Sequence, residues 1–544
     1  MTVEDYEKKL RSVYKLWPMR AYYRMRKLVR HSSVRNYKTY NDYQAAQISR
    51  LRRKSSASTE KEISPKSSYP GTELHRLFAS GDYLAFLDII EDRAAGKAAA
   101  DLRDPVMAVD VVRAALEVGD PDRALNLQEI LLSGHAAHNK RFRTDFFICL
   151  LTASRLSEAR DFARETLLLG AFDAGGLLRM AGDHRLLGDD PLCIAMLEAA
   201  LHGRGGPLKG SQVVYAQDLL STLAGPDTAL KWVTTAVGAK SREDAQLFLF
   251  NTYARAGQHE RALRNLNGVL AAHELTAVNL INPDVPLSVT NIDGGASDGR
   301  EENGPLVTIA MSTFNSATTV LASLRSLSAQ RYRALEILVV DDCSSDNTRK
   351  LVADYAANVD NRVRLIALDE NGGTYRARNV ALKEARGHLF TCNDSDDWAH
   401  PQKIGVLVDH LLGNPQCIAV QSRLLRLNSK TGLKPKRNGY VHDDASSLLY
   451  YRDPVHGALG FYDTNKFGAD SEFAARLMRQ FADRSIGVVT KPLLIADWSE
   501  NSLSGALATG ISDGGTMAVS RVQYRYQYQT RHRGGHLERV EFGA

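Results

Sequence analysis

From residue 71 to about 275, apolar positions return every three or four residues, the spacing that places them on one face of a helix. Polar turns separate one such stretch from the next. At Pro305 the pattern changes. LVTIAMSTF (306–314) is a continuous apolar run of strand length, followed by helical spacing over 318–329. LEILVVDD (335–342) is again a strand, then a helix from about 346 to 356. VRLIAL (363–368) leads to a helix over 375–385, and HLFTCND (388–394) is a fourth strand. Strand and helix alternate with short connections, which predicts an α/β domain around a mostly parallel, Rossmann-like sheet. Ligands bind such sheets beyond the carboxyl ends of the strands. Asp341, Asp342, Asp394 and Asp396 all fall at those ends.

The first half repeats itself. GDYLAFL (81–87), GDPDRAL (119–125), RLSEARDFA (155–163), GDDPLCIAML (188–197), GPDTALKWV (225–233) and GQHERALRNL (257–266) are each a turn opening an apolar helix. Ala85, Ala124, Ala159, Ala195, Ala229 and Ala262 recur at steps of 39, 35, 36, 34 and 33 residues. A helical period near 34 resembles that of tetratricopeptide (TPR) repeats, although no unit carries the full consensus. The expectation is an all-α, TPR-like right-handed solenoid over 71–280, with an irregular helical bundle as the alternative. No catalytic cluster falls in it, so its expected work is binding a protein partner or self-association.

Charge divides the chain further. The net is +6 overall, yet residues 1–54 alone carry fifteen Lys and Arg against four Asp and Glu. Leu10, Val13, Tyr14, Trp17, Tyr22, Met25, Leu28 and Val29 form apolar stripes on either side of Pro18, opposite basic faces. Such a segment either lies on an anionic membrane surface or packs its stripe on the rest of the protein; nucleic acid is not an expected partner. Residues 55–70 read as a Ser-rich linker and 281–304 as a linker or extended crossing segment. The catalytic unit is expected over 305–510, with a C-terminal extension over 511–544. No apolar run is long enough to span a bilayer. MTVEDYEKKL lacks an apolar signal core, and the five scattered cysteines show no CxxC pair. A cytoplasmic protein with reduced thiols is expected, peripheral to the inner face of the cell membrane if the basic segment binds there.

FTCNDSDDWAHP (390–401) carries Asp394, Asp396 and Asp397 at the end of the fourth strand. Charges this close repel. Either they form a solvated strand end, with Asp397 and Pro401 capping and starting the next helix, or a divalent cation offsets them. The order VTIAMSTFN, EILVVDDCSSDNT, NGGTYRARNVALKEARG and FTCNDSDDW resembles the family 2 glycosyltransferases of the GT-A fold over roughly 305–505. That resemblance implies an inverting enzyme using a nucleotide-diphosphate sugar, most simply a UDP-sugar, with Mn²⁺ or Mg²⁺ on the DXD residues Asp394 and Asp396. It implies donor contacts at Thr313, Asn315, Asp341 or Asp342, Gly373, Arg378 and Asp394. The alternative for Arg378 is an ordinary surface ion pair, and Trp398 either fills core or floors the acceptor site. The residue after the acidic pair is usually Gly in the family; here it is Cys343.

GADSEFAARL (468–477) resembles the family's acidic helix start. Asp470 then takes the role of general base, with Glu472 as the second candidate and a plain helix cap as the alternative. The segment IADWSENSLSG (495–505) has no His where many members complete the metal site, so water, Asp497 or His456 is left as third ligand. The implied acceptor is a glycan or glycolipid, a growing bacterial surface polysaccharide or its lipid-linked precursor. Two other classes stay open: a nucleotidyltransferase, though STFNSATT is not a Gly-rich basic loop, and a TPR scaffold with an inactive transferase-like domain.

Overall fold

The computed structural model describes residues 69, 72–95, 102–133, 135–225, 242–294, 303–499, 502, 505–506, 508–533 and 539–542. The basic segment 1–54, the linker 55–70 apart from Tyr69, most of the fifth repeat piece and all of NSLS but Ser502 lie outside the described residues.

The helical region runs α1 (Glu73–Ser80), α2 (Tyr83–Ala94), α3 (Pro105–Val118), α4 (Lys140–Thr152), α5 (Leu156–Leu169), α6 (Ala174–Gly182), α7 (Asp190–Leu201), α8 (Gly210–Ala224), α9 (Arg242–Arg255) and α10 (His259–Ala272), with shorter helical turns between α3 and α4 and between α6 and α7. The period seen in the sequence belongs to the turns. Gly81, Gly119, Ser154, Gly188, Gly225 and Gly257 all have positive φ, and each follows a helix. The alanines keep the register only in part. Ala124, Ala159 and Ala262 are buried, Ala85 is half-buried and Ala195 is exposed. α7 starts behind the Asp189 cap with Pro191 in its first turn, and it buries Leu192, Cys193, Met196 and Leu197, which turns position 195 outward.

The sheet comprises β1 (Val307–Thr313), β2 (Leu335–Asp341), β3 (Val363–Ala367), β4 (Leu389–Cys392), β5 (Trp398–Ala399), β6 (Cys417–Asn428), β7 (Gly432–Leu433), β8 (Val441–Asp443), β9 (Leu449–Tyr451) and β10 (Ser485–Asp497). Its order is β3-β2-β1-β4-β9-β6-β10-β5, with β7 and β8 pairing on β6. The expected α/β half is present: β3, β2, β1 and β4 are parallel. They are joined by α11 (Val320–Ser328), α12 (Thr348–Asn358) and α13 (Thr374–Glu384). Beyond β4 the sheet is mixed, because β9 inserts antiparallel between β4 and β6. The apolar run of β1 and β2 follows from coverage on both faces. After β5 come α14 (Lys403–Leu412), then α15 (Arg452–Leu459) and α16 (Ala469–Gln480), and after β10 the C-terminal α17 (Val519–Arg533).

The two halves share a core. Leu247, Phe250, Tyr253 and Leu266 of α9 and α10 pack in one cluster with Val307, Ile309, Trp398 and Leu424. Leu287, Val289 and Ile292 join it, so the described part of 281–304 is a packed crossing segment. Asn251, fully buried on α9, pairs with β7 as a strand would: its Nδ2 donates to the Leu433 carbonyl at 2.6 Å, and its Oδ1 accepts from the Leu433 N–H at 2.7 Å. α17 bridges the two halves on another side. Gln523 and Arg533 donate to the carbonyls of Gly119 and Ser80, while Tyr524 donates to Asp463 before α16. No helix among the described residues is long and apolar enough to cross a membrane.

Candidate active site

Parallel register brings the candidate residues to one edge. Thr313 ends β1 opposite Asp341 of β2, and Ala310 lies opposite Cys392 of β4, so Asp394 follows at the same end of the sheet. Two loops are then tied together by the chain's own polar groups. Asn315 Oδ1 accepts from the Ser345 N–H at 2.9 Å, and the Asn315 N–H donates to Ser344 Oγ at 2.9 Å.

The acidic pair is turned inward onto the chain's own donors. Asp341 is fully buried and accepts from Thr313 Oγ1, the Ser344 N–H and Arg349 Nε. Burial works to raise its pKa, but the hydrogen bonds from Ser344 and Arg349 outweigh it and hold the carboxyl below its ordinary range. Asp342 accepts from the N–H groups of Gly372 and Gly373 at 2.8 and 2.7 Å. Asp342 therefore clamps the NGG loop, and the Gly373 N–H at the start of α13 is spent on it.

Cys343 holds a backbone conformation that suits glycine. Its φ is +65°, a left-handed backbone that glycine adopts freely. A side chain there costs roughly 1–2 kcal/mol, of which glycine's greater freedom in the unfolded chain gives back about 0.4–1 kcal/mol. Cys343→Gly is expected to raise stability by up to about 1 kcal/mol, read as a higher urea midpoint at unchanged m. A lower midpoint would mean that the Sγ contact to the Asp369 carbonyl, 3.4 Å long, outweighs the strain.

Arg378 is no surface ion pair. It is buried, and its Nη2 donates to Asp394 Oδ1 at 2.7 Å, while its Nε is buried without an acceptor. Tyr375, one helical turn earlier, lies under the guanidinium at 5.4 Å. The Tyr375 hydroxyl in turn meets the backbone of Asp470, and burial followed by the Asp470 charge pushes its pKa up. Tyr375 thus stands between the start of α16 and the Arg378–Asp394 pair. Asp470 is half-buried in the first turn of α16, behind Gly468 in left-handed conformation, and accepts from the Ser471 N–H at 2.7 Å.

Glu472 faces the other way. It is buried, accepts from Arg476 Nε and Nη2 at 2.9 and 3.0 Å, and meets His532 Nε2 of α17 at 3.0 Å. Two positions along a helix are about 200° apart, so only one of Asp470 and Glu472 can face the site.

Asp394 keeps 35% of its side chain exposed. Burial, then the Asp394 charge, pushes Asp396 up to about 7, with Asp497 adding to the effect. Asp397 does not cap a helix. It accepts from the Asp497 N–H at 3.1 Å and so fixes the end of β10 beside the cluster; α14 starts at Lys403 behind Gln402, past Pro401. Trp398 is core. His456 sits against Phe461 among Arg452, Asp453, Arg539 and Glu541, with no contact to these aspartates.

The sequence reading missed Tyr375, Lys403 and Asp444. Lys403 is buried behind the cluster, where it donates to Asn393 Oδ1 at 3.1 Å and feels Asp444 and Asp397. A lysine opening the apolar run KIGVLVDHLL was the available signal.

Among the described residues, no three His, Cys, Asp or Glu side chains are grouped as a ready-made cation site. The donor set nonetheless fits a hard divalent ion. Asp394 and Asp396 supply carboxylate oxygens, and ions such as Mg²⁺ commonly take one or two carboxylates and complete their shell with water and substrate phosphate.

Residues 308–482 match the family model of Glycosyl transferase family 2. The family 2 region contains every candidate site residue named above except Asp497. The chain is similar to the succinoglycan biosynthesis protein ExoO of Rhizobium meliloti (strain 1021), with 37% identity over 137 residues, 24% of this chain and 38% of that protein. It is similar also to the UDP-Glc:alpha-D-GlcNAc-diphosphoundecaprenol beta-1,3-glucosyltransferase WfgD of Escherichia coli, with 38% identity over 109 residues, 20% of this chain and 42% of that protein. The chain thus spans about two fifths of the length of these relatives. Among solved structures, S. aureus TarS 1-349 in complex with UDP-GlcNAc aligns at 20% identity and a TM-score of 0.31, over 36% of this chain and 60% of that one.

Proposed function

We propose that this chain is an inverting glycosyltransferase that moves a sugar from a UDP-sugar to a hydroxyl of a growing bacterial surface polysaccharide or its lipid-linked precursor. The observation that carries the reading is the buried Arg378 paired with the partly open Asp394, at the strand ends of a region matching family 2. The UDP donor and the lipid-linked acceptor are supported by the similarity to the E. coli glucosyltransferase, which uses UDP-Glc and a diphosphoundecaprenol-linked sugar.

Asp470 takes the acceptor hydroxyl's proton as that oxygen attacks the anomeric carbon and the bond to the diphosphate breaks. One displacement by one carboxylate base inverts the anomeric centre. Arg378 orients Asp394 and keeps a cation beside the leaving diphosphate. Asp394 and Asp396, with Asp497 adjoining, would hold Mn²⁺ or Mg²⁺, which when bound offsets the charge on the departing diphosphate. Thr313, Asn315, Asp341, Asp342 and Gly373 shape the loops on the nucleotide side. The helical repeats are assigned a partner or self-association surface, and residues 1–54 an anionic membrane surface.

The test is a screen of nucleotide sugars with Mn²⁺ by thermal shift, followed by transfer assays. A stabilising UDP-sugar that is consumed only when acceptor is added supports the reading. Nucleotide monophosphate transfer instead of sugar transfer would point to a nucleotidyltransferase, and no turnover with any donor to an inactive scaffold.

A further inference from the structure

Away from the strand ends, four arginines meet in a cavity of about 220 Å³ between the helical array and α17. Arg113 comes from α3, Arg141 from α4, Arg179 from α6 and Arg525 from α17. Glu117 and Asp145 line the cavity with them, while Asp110 acts on Arg113 and Arg141, and Asp183 on Arg179, from outside the lining. Arg525 is paired with Glu117 at 2.7 Å, and Asp145 faces the other three. Only Arg179 reaches Asp145 with a hydrogen bond, Nη1 to Oδ1 at 3.2 Å; the Nε atoms of Arg113 and Arg141 both stop 3.8 Å from Oδ2. That is beyond hydrogen-bond length. Arg179 Nε is buried with no acceptor at all.

An ion-pair network serving only stability would bring a carboxylate into contact with each guanidinium. Here guanidinium donors are left over: Arg179 Nε has no acceptor, and Arg113 and Arg141 stop short of Asp145.

We infer that this cavity is an anion site for a phosphate group, either free or esterified. Guanidinium forks match phosphate oxygens two at a time. The volume is below the roughly 300–1,000 Å³ of pockets for drug-sized ligands, which suits a phosphate or diphosphate and excludes a whole nucleotide sugar. Its wall includes Gly515–Met517 and α17, the segment that runs from β10 to the helix holding Glu472. A bound anion therefore ties three helices of the repeat array to the element that braces α16.

The experiment is thermal unfolding of the full chain in EDTA, which removes metal-assisted binding at Asp394 and Asp396. The probes are inorganic phosphate, inorganic pyrophosphate and glycerol 3-phosphate, each against NaCl at equal ionic strength. A saturating rise in Tm of about 2–4 °C is expected with phosphate and pyrophosphate and not with NaCl. The rise is expected to vanish in Arg113→Gln/Arg141→Gln, whose side chains are 36% and 57% exposed and lie outside the core. Stabilisation by glycerol 3-phosphate as well assigns an esterified phosphate; stabilisation by the inorganic ions alone assigns a free one. No rise above the NaCl control, or an equal rise in the double variant, overturns the inference.

Discussion

Asp396→Ala is expected to abolish sugar transfer and to leave the chain folded. The carboxyl sits where burial and the charge of Asp394 disfavour its ionised form, so it contributes little to holding the fold together. Its removal relieves repulsion within the cluster, and the thermal midpoint is expected to stay level or rise slightly. Binding of UDP in Mn²⁺ is expected to weaken along with turnover, and EDTA is expected to do to the wild type what the substitution does. Asp394→Ala is a harsher change, because it also leaves the buried Arg378 guanidinium without its hydrogen-bonded carboxylate. Full transfer by Asp396→Ala, or by the wild type in EDTA, would remove the metal from the mechanism.

Asp470→Asn is expected to keep donor affinity within a few-fold and to lower turnover by about 10²–10⁴, the usual worth of a general base. Asn preserves the shape at the start of α16 and its oxygen can still accept the Ser471 N–H, so the fold is not at stake. The paired measurement is Glu472→Gln, for which the structure sets the opposite pattern. Glu472 holds Arg476 and His532 in the interior. The amide still accepts a bond but no longer balances the buried guanidinium, so the expected effect is a lower Tm with turnover per folded molecule close to normal. A dead but stable Glu472→Gln beside an active Asp470→Asn would exchange their roles. Activity in both would place the base elsewhere.

Local spacing alone was enough for much of this chain. The elements from β1 to β4, with α11 to α13 between them, are short-range patterns of buried and exposed positions, and they form where the apolar runs and turn residues say they should. The parallel pairing followed from the alternation of strand and helix, and it carried Asp341 and Asp394 to the same end of the sheet. The helical period was also legible, although it resides in turns with positive φ and only in part in the alanines.

What a side chain faces is a different matter, because it depends on groups far away in sequence. Asp341, Asp342, Asp394, Asp396 and Asp397 look alike in the sequence. Arg349, the Gly372–Gly373 amides, Arg378 and the Asp497 N–H decide which are clamped inward and which is left open. The same holds for Asp470 and Glu472, two residues apart on one helix, where the burial of Arg476 and the arrival of His532 from α17 assign one to the interior. Periodicity by itself determined that this chain has a helical region and a partly parallel α/β sheet with carboxylates at its strand ends. Only the tertiary structure decided which of those carboxylates are available, because a charge in the interior takes the role left to it by the partners that folding brings within hydrogen-bond reach.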